Sequence, residues 1–230
     1  RFIVAEQLKK IDIADATIIL EPIARNTAPA IIASAIQSLQ MNNSMDDILL
    51  ILSADHFIQD TKAFYQSMSV ALIHAVKGKI VTFGIVPTHA NTGYGYIQAE
   101  TTSDEYNSTV MNVKCFKEKP DKKLAEFYLL ENDKSRDNNL TLNWYWNSGM
   151  FVCQAKTLID ESSIHSSDIL NKVRSSVENA IYDLDFIRLE EKTFASSPNM
   201  SIDYALMEKS KNVIVVPMDG AGVCCARGIP

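Results

Sequence analysis

Four cysteines, Cys115, Cys153, Cys224 and Cys225, are present, and none stands in a C-x-x-C pair. That disfavours a zinc site, leaves no disulfide framework to read, and the four are taken as reduced thiols. No apolar run is long enough to span a bilayer, and the opening RFIVAEQLKK lacks the regions of a secretory leader. Basic residues are not in excess: the formal net charge is -6 and the lysines and arginines are scattered. This disfavours nucleic acid or an anionic membrane as partner while leaving room for a local site for a small anion. No G-x-G-x-x-G follows a strand, which disfavours a dinucleotide dehydrogenase, and there is no internal repeat or low-complexity tract. The chain has no initiator methionine and opens inside an amphipathic helical pattern, so it is expected to begin partway through a larger, soluble, cytoplasmic protein.

What is present is an ordinary globular composition, 230 residues with 47% hydrophobic and 22% charged, enough for one domain or two small ones. TIIL (Thr17 to Leu20) predicts a strand; Asn26 or Thr27 can cap the alanine-rich helix that follows, with Pro29 in its first turn. DILLILS (Asp47 to Ser53) has the pattern of a strand buried on both faces. A helix is predicted from Asp60 with Phe64, Met68, Leu72 and Val76 on one stripe, then a buried strand in KIVTFGI. Further on, GYIQAE, VMNVKCF, SGMFVCQ and NVIVVP predict strands. Asp121 caps a helix through Phe127, further helices are predicted over Asp168–Ala180 and Ile202–Lys209, and ENDKSRDNN reads as a surface loop. The β-α-β rhythm predicts a mainly parallel mixed sheet with helices on both faces, whose ligands bind beyond the strand ends.

Polar residues just after strands are therefore the candidates. Asp55 follows DILLILS directly; its carboxylate suits a hard cation shared with substrate phosphates, and equally a turn cap. His56 beside it is read as a structural hydrogen-bonding residue. NTGYGYI (Asn91 to Ile97) offers backbone that a ligand can approach closely, or a tight turn. In FKEKP, alternation separates Phe116 and Glu118 from Lys117 and Lys119, and Pro120 ends strand pairing. A glutamate accepts from vicinal hydroxyls and a lysine meets phosphate, so the pair suits a sugar phosphate; a solvated strand end with a weak ion pair is the competing account. NWYWNSGMF (Asn143 to Phe151) is either a carbohydrate platform or core packing. Ser201 and Asp203 in SIDYALMEKS suit a helix start.

Taken in order, RFIVAEQL, EPIARNTAPAI, SADHFIQD, TFGIVPTHANTGYGYI, FKEKPD, WNSGMF and SIDYALMEKS closely resemble the mannose-1-phosphate guanylyltransferases of bacteria, most of all the long type often fused to a phosphomannose isomerase. The resemblance runs from Arg1 to about Asp219. It implies a Rossmann-like nucleotidyltransferase fold of the nucleotide-diphospho-sugar transferase kind, and a reaction of GTP with mannose 1-phosphate that gives GDP-mannose and pyrophosphate with Mg2+, in the service of polysaccharide biosynthesis. By motif, Asp55 is implied as metal ligand and, with Lys119, as a catalytic group. Gly95, Glu118 and Asn147 are implied to hold the mannose and Lys119 its phosphate. Glu21, Arg25, Asn26 and Thr27 are implied to lie near the nucleotide.

The sequence also departs from that family. The glycine-rich G-G-x-G-T-R-L loop and the P-K-Q segment are not in this chain, and the likeness ends after Asp219, at MDGAGVCCARGIP. Residues 1–219 are expected to be an incomplete nucleotidyltransferase domain, nearly inactive alone, and 220–230 a divergent tail. An isomerase domain would lie outside the chain, and self-association is left open. Two other readings stand: a non-catalytic sugar-phosphate binding or regulatory homologue, and a pyrophosphorylase for another nucleotide sugar.

Overall fold

A computed structural model describes residues 2–13, 15–42, 44, 46–101, 110–137, 142–183, 186–218 and 223–225. In chain order its elements are α1 (Phe2–Lys10), β1 (Ile18–Leu20), α2 (Thr27–Asn42), β2 (Ile48–Ile51), β3 (His56–Ile58), α3 (Thr61–Ala75), β4 (Ile80–Ile85), β5 (Tyr96–Thr101) and β6 (Met111–Lys117). Then come α4 (Lys122–Asp137), β7 (Leu142–Gln154), α5 (Ala155–His165), α6 (Ser167–Glu178), β8 (Ile181–Asp183), β9 (Phe186–Arg188), α7 (Glu191–Ala195), a π-helical segment (Asp203–Met207), β10 (Val213–Pro217) and β11 (Val223–Cys225). They fall into two compact units, Arg1–Ser44 with Ile159–Leu206, and Met45–Leu158 with Met207–Pro230. Among the described residues no helix is long and apolar enough to cross a membrane.

In the first unit β1 pairs parallel with β9, and β8 pairs antiparallel on its other side. Helices α2 and α6 pack together. On α2 the buried residues include Ala28, Ile32, Ala35 and Ile36, and on α6 they include Ile169, Leu170, Val173 and Val177, the three-and-four spacing of one helical face. The α1 helix forms as the pattern predicts, yet Phe2, Ile3 and Val4 are exposed, with Phe2 meeting Phe186 edge-on at 5.8 Å. Ser201 caps as expected, its Oγ accepting from Tyr204 N at 3.4 Å. The helix it opens is the short π-helical segment and not a regular helix to Lys209.

The second unit holds a six-stranded sheet ordered β2-β7-β4-β10-β6-β5, with the first half of the long β7 also paired to β5. The pairings β7-β4-β10-β6-β5-β7 thus close on themselves. Strands β2, β4, β5 and β10 share one direction and β6 and β7 oppose it. The expected mixed sheet is present; four of its six strands run in parallel, but adjacent parallel pairing within it is confined to β4 and β10. Those two are the apolar strands it buries on both faces, Ile80 to Gly84 and Val213 to Val216.

Four expectations change. DILLILS is not a doubly buried strand: among the described residues β2 pairs with β7 alone, at the end of the sheet order, and Leu50 and Leu52 are exposed. On α3, which Asp60 caps, the buried face is Phe64, Met68, Ala71 and Ala75, while Leu72 and Val76 are exposed. A strict step of four residues drifts about 40° per step around a helix, so the predicted stripe leaves the core by its third member. The turn before α3 contains a strand, β3, paired with β11. Finally, α4 continues from its Asp121 cap to Asp137, so most of ENDKSRDNN is helical; Asn138 and Asn139 lie outside the described residues.

Candidate active site

The FKEKP strand end behaves as its alternation predicts: Phe116 and Glu118 are buried, Lys117 and Lys119 exposed. Lys119 adopts φ +44°, left-handed backbone that a non-glycine residue rarely takes, immediately before Pro120. Such a conformation costs on the order of 1–3 kcal/mol and persists only where its surroundings impose it. Two contacts do so. Glu118 N donates to Glu208 Oε1 at 2.9 Å, and Lys119 Nζ pairs with Glu118 Oε1 at 3.2 Å. The Glu118 side chain is 9% exposed and the Lys119 side chain 61%, so the turn holds a buried carboxylate at its base and a cation in solvent.

Sheet register brings the rest of the site to this carboxylate. Tyr96, the first residue of β5, pairs with Lys117 on one side and Trp146 on the other. Both neighbours run antiparallel to β5, so one step further out Gly95 meets Glu118 and Asn147. The meeting is close: a Cβ on Gly95 would stand 2.5 Å from Glu118 Oε2 and 3.3 Å from Asn147 Cβ, and Asn147 N donates to Gly95 O at 2.7 Å. With the Glu118 carboxylate where it stands, a side chain at this position does not fit. Asn147 Oδ1 is fixed by the Thr82 hydroxyl at 3.0 Å, shared with Met150 O at 3.2 Å, and by Gly149 N at 3.2 Å. Gly149 takes φ +72°.

Asp55 sits exposed on the turn between β2 and β3. Nearby in the chain, Ser53 and His56 lie beside Gly149, each with an atom 3.9 Å from where a Cβ on that glycine would be. His56 Nδ1 is buried without a hydrogen-bond partner among the described residues. The expected structural hydrogen bond is therefore not seen at that nitrogen; an unpaired buried nitrogen costs on the order of 1–3 kcal/mol.

The four residues of the EPIARNTAPA block belong to the first unit. Arg25 Nη2 donates to Ala195 O, and its Nε is buried without a partner among the described residues. Asn26, at φ +66°, precedes α2 and its Oδ1 accepts from Thr27 N at 2.9 Å; Thr27 Oγ1 accepts from Ile202 N at 2.9 Å. Thr27 and Arg25 tie the start of α2 to the SIDYALM segment and to the end of α7. Glu21 lines a groove of about 650 Å³ with Pro22, Arg188 and Glu190, and burial pushes its carboxyl above the ordinary value.

The tryptophans resolve as core. Trp144 is 5% exposed, stacks on Tyr128 at 3.5 Å, and donates from Nε1 to Glu131 at 2.7 Å; Trp146 is also buried, against His89 and Tyr94. Two residues that secure the cluster, Thr82 and Glu208, were not among the candidates. Thr82 had a signal, being the one polar residue in the apolar run IVTFGI; Glu208 had none, since its partner is a backbone amide 90 residues away.

Residues 1–192 match the family profile described as nucleotidyl transferase. Of the curated relatives, the mannose-1-phosphate guanylyltransferase of Escherichia coli is 42% identical over 220 residues, covering 95% of this chain and 45% of that protein. The enzyme of the same name from Salmonella muenchen is 44% identical over 219 residues, with coverages of 95% and 44%. The chain thus spans less than half the length of these relatives. A solved structure described as mannose-6-phosphate isomerase from Helicobacter pylori superposes with a TM-score of 0.80 at 31% identity, over 97% of this chain and 81% of that one.

Proposed function

The chain belongs to the nucleotidyl transferase family, and from that premise we propose that the protein carrying it transfers the guanylyl group of GTP to mannose 1-phosphate, giving GDP-mannose and pyrophosphate. The observation that carries the sugar side is the convergence of Gly95, Glu118 and Asn147, with a lysine in a left-handed turn beside them. The relatives' names supply the substrates.

In this reading the sugar phosphate oxygen attacks the α-phosphorus of GTP in line. A phosphorus–oxygen bond forms there as the bond to the β-phosphate oxygen breaks, and pyrophosphate leaves with the electron pair. Positioning and charge neutralisation do most of the catalytic work in such transfers. The Glu118 carboxylate accepts from sugar hydroxyls, the bare Gly95 backbone lets the ring approach, and Asn147, fixed by Thr82, completes the cradle. Lys119 Nζ, exposed and next to that carboxylate, meets the phosphate.

Asp55 would hold Mg2+. Magnesium is commonly bound by one or two carboxylates with phosphates and water completing the shell, and an exposed carboxylate on the turn between β2 and β3 fits that mode. When bound, the ion would withdraw charge from the phosphates. Glu21, Arg25, Asn26 and Thr27 would stand near the nucleotide, Arg25, Asn26 and Thr27 by shaping the start of α2. A cytoplasmic enzyme serving polysaccharide synthesis completes the proposal.

The test is pyrophosphate release from GTP and mannose 1-phosphate with Mg2+, on the natural polypeptide that carries this chain, with UTP and dTTP as competitors. Activity that prefers GTP and falls at least a hundredfold in Glu118→Ala and Lys119→Ala is expected, by about the rate lost when a positioned group is removed. The name of the Helicobacter pylori structure raises a second reading, isomerisation of mannose 6-phosphate. Conversion of mannose 6-phosphate without pyrophosphate release would favour it.

A further inference from the structure

We propose that Glu208 is a positioning residue for the sugar side of the site, acting through the backbone of Glu118. The inference rests on the guanylyltransferase reading for its substrate and on geometry for the rest. Strand β10 pairs with β6 only at Met111 and Asn112. Beyond that point β6 borders a groove of about 540 Å³, lined by Cys115, Phe116 and Glu208 among others, in place of a paired strand. Among the described residues the Glu118 amide therefore has no strand partner on that side, although its residue is 8% exposed, and a buried amide must be paired. Glu208 Oε1 supplies the acceptor at 2.9 Å.

A carboxylate acceptor makes this bond charge-assisted, stronger than the neutral strand bond it replaces. It is made at the one residue between the end of β6 and the left-handed Lys119, so it holds the point where the chain must leave the sheet to set up the turn. Releasing it frees the Glu118 backbone. The Oε2 contact line with Gly95 and the Oε1 pairing with Lys119 then lose their common anchor. Glu208 itself touches no substrate in this scheme, which separates it from Glu118 and Lys119.

The experiment uses Glu208→Ala and Glu208→Gln in the natural polypeptide that carries this chain. Glutamine keeps an oxygen at the accepting position and alanine does not. Three readouts are taken: hydrogen exchange of the Glu118 amide, the melting temperature, and the Michaelis constants for mannose 1-phosphate and GTP from pyrophosphate release. The expected pattern is loss of Glu118 protection and about a tenfold rise in KM for mannose 1-phosphate in Glu208→Ala, the scale of a lost charged hydrogen bond. The KM for GTP stays within about twofold, and Glu208→Gln recovers most of both changes. An unprotected Glu118 amide in the wild type, or a Glu208→Ala enzyme with wild-type KM for the sugar phosphate, overturns the proposal. Equal losses in both variants that track melting temperature also overturn it, by making Glu208 merely structural. If the wild type releases no pyrophosphate, the functional reading fails and the positioning role with it, while amide protection still reports whether the Glu208 bond exists.

Discussion

Adding one methyl group at Gly95 tests the site more sharply than removing any charge from it. In Gly95→Ala the new Cβ would stand 2.5 Å from Glu118 Oε2, 3.3 Å from Asn147 Cβ and 3.5 Å from Phe116 Cε1. A close carbon–oxygen contact is about 3.3 Å, so the carboxylate has to retreat by roughly 0.8 Å. Its freedom to do so is small, because the Glu118 side chain is 9% exposed and Oε1 is paired with Lys119. Movement of Gly95 the other way meets Asn147, whose amide already binds the Gly95 carbonyl at 2.7 Å. Overpacking of this kind costs about 1–3 kcal/mol, or a melting temperature lower by roughly 2 to 10 °C for a chain of this size. A positioned group displaced by about 1 Å costs about a hundredfold in rate. The expected result is a kcat/KM for mannose 1-phosphate about a hundredfold down in a protein that still melts cooperatively. Gly93→Ala is the control, since a Cβ there would meet only Asn91 Oδ1, at 3.1 Å, and its activity should stay within about twofold. A Gly95→Ala protein with wild-type kcat/KM would refute the reasoning, because the carboxylate would then not need to be where the structure has it.

Three further outcomes are expected. Thr82→Val keeps the shape of the buried strand but removes the hydroxyl from Asn147 Oδ1 and Met150 O; it should cost about 1 kcal/mol in urea melts and lower kcat/KM for the sugar phosphate severalfold, and an unchanged enzyme would show that Asn147 needs no such anchor. Burial pushes the Cys153 thiol up to about 12, and it raises Cys115 with help from Glu208 against the opposing pull of Lys117. Both therefore hold less thiolate than free cysteine at about pH 8, so peptide mapping after iodoacetamide should find Cys115 labelled slowly and Cys153 only after unfolding. Glu190 caps α7, and its carboxyl lies below the ordinary value first through the Thr193 hydroxyl, then through the Thr193 and Lys192 amides. A depressed carboxyl stabilises above its unfolded value and loses that contribution as pH falls through its folded one. Glu190→Gln should accordingly lose less of its urea midpoint than the wild type between about pH 6 and about pH 3, and equal losses would refute the cap's role.

The parts of the fold that were legible in the sequence are those set by neighbours along the chain. KIVTFGI reads as a buried strand and NVIVVP as a strand because no polar face interrupts their apolar runs beyond Thr82, and they are β4 and β10. DILLILS has the same composition and was misread for that reason: an apolar run records what a strand can bury, while its position in the sheet order depends on which partners reach it. Likewise the acidic tail of α4 looked like a loop because nothing in ENDKSRDNN demands burial, whereas a capped helix continues through polar residues as long as one side packs; Asn132 there bonds both the Trp144 amide and its carbonyl.

The sequence by itself determined the helix that starts at Asp60, the Asp121 cap, and the separation of Phe116 and Glu118 from Lys117 and Lys119, since each follows from backbone geometry over a few residues. The order of its motifs also carried the family. Only the tertiary structure decided that Gly95, Glu118 and Asn147 meet, that Thr82 and Glu208 hold them, and that the WYW aromatics are core. The physical reason is register: Tyr96 pairs at once with Lys117 and Trp146, and that coincidence of three distant strands is fixed by the closure of the sheet, which no local stretch of sequence encodes.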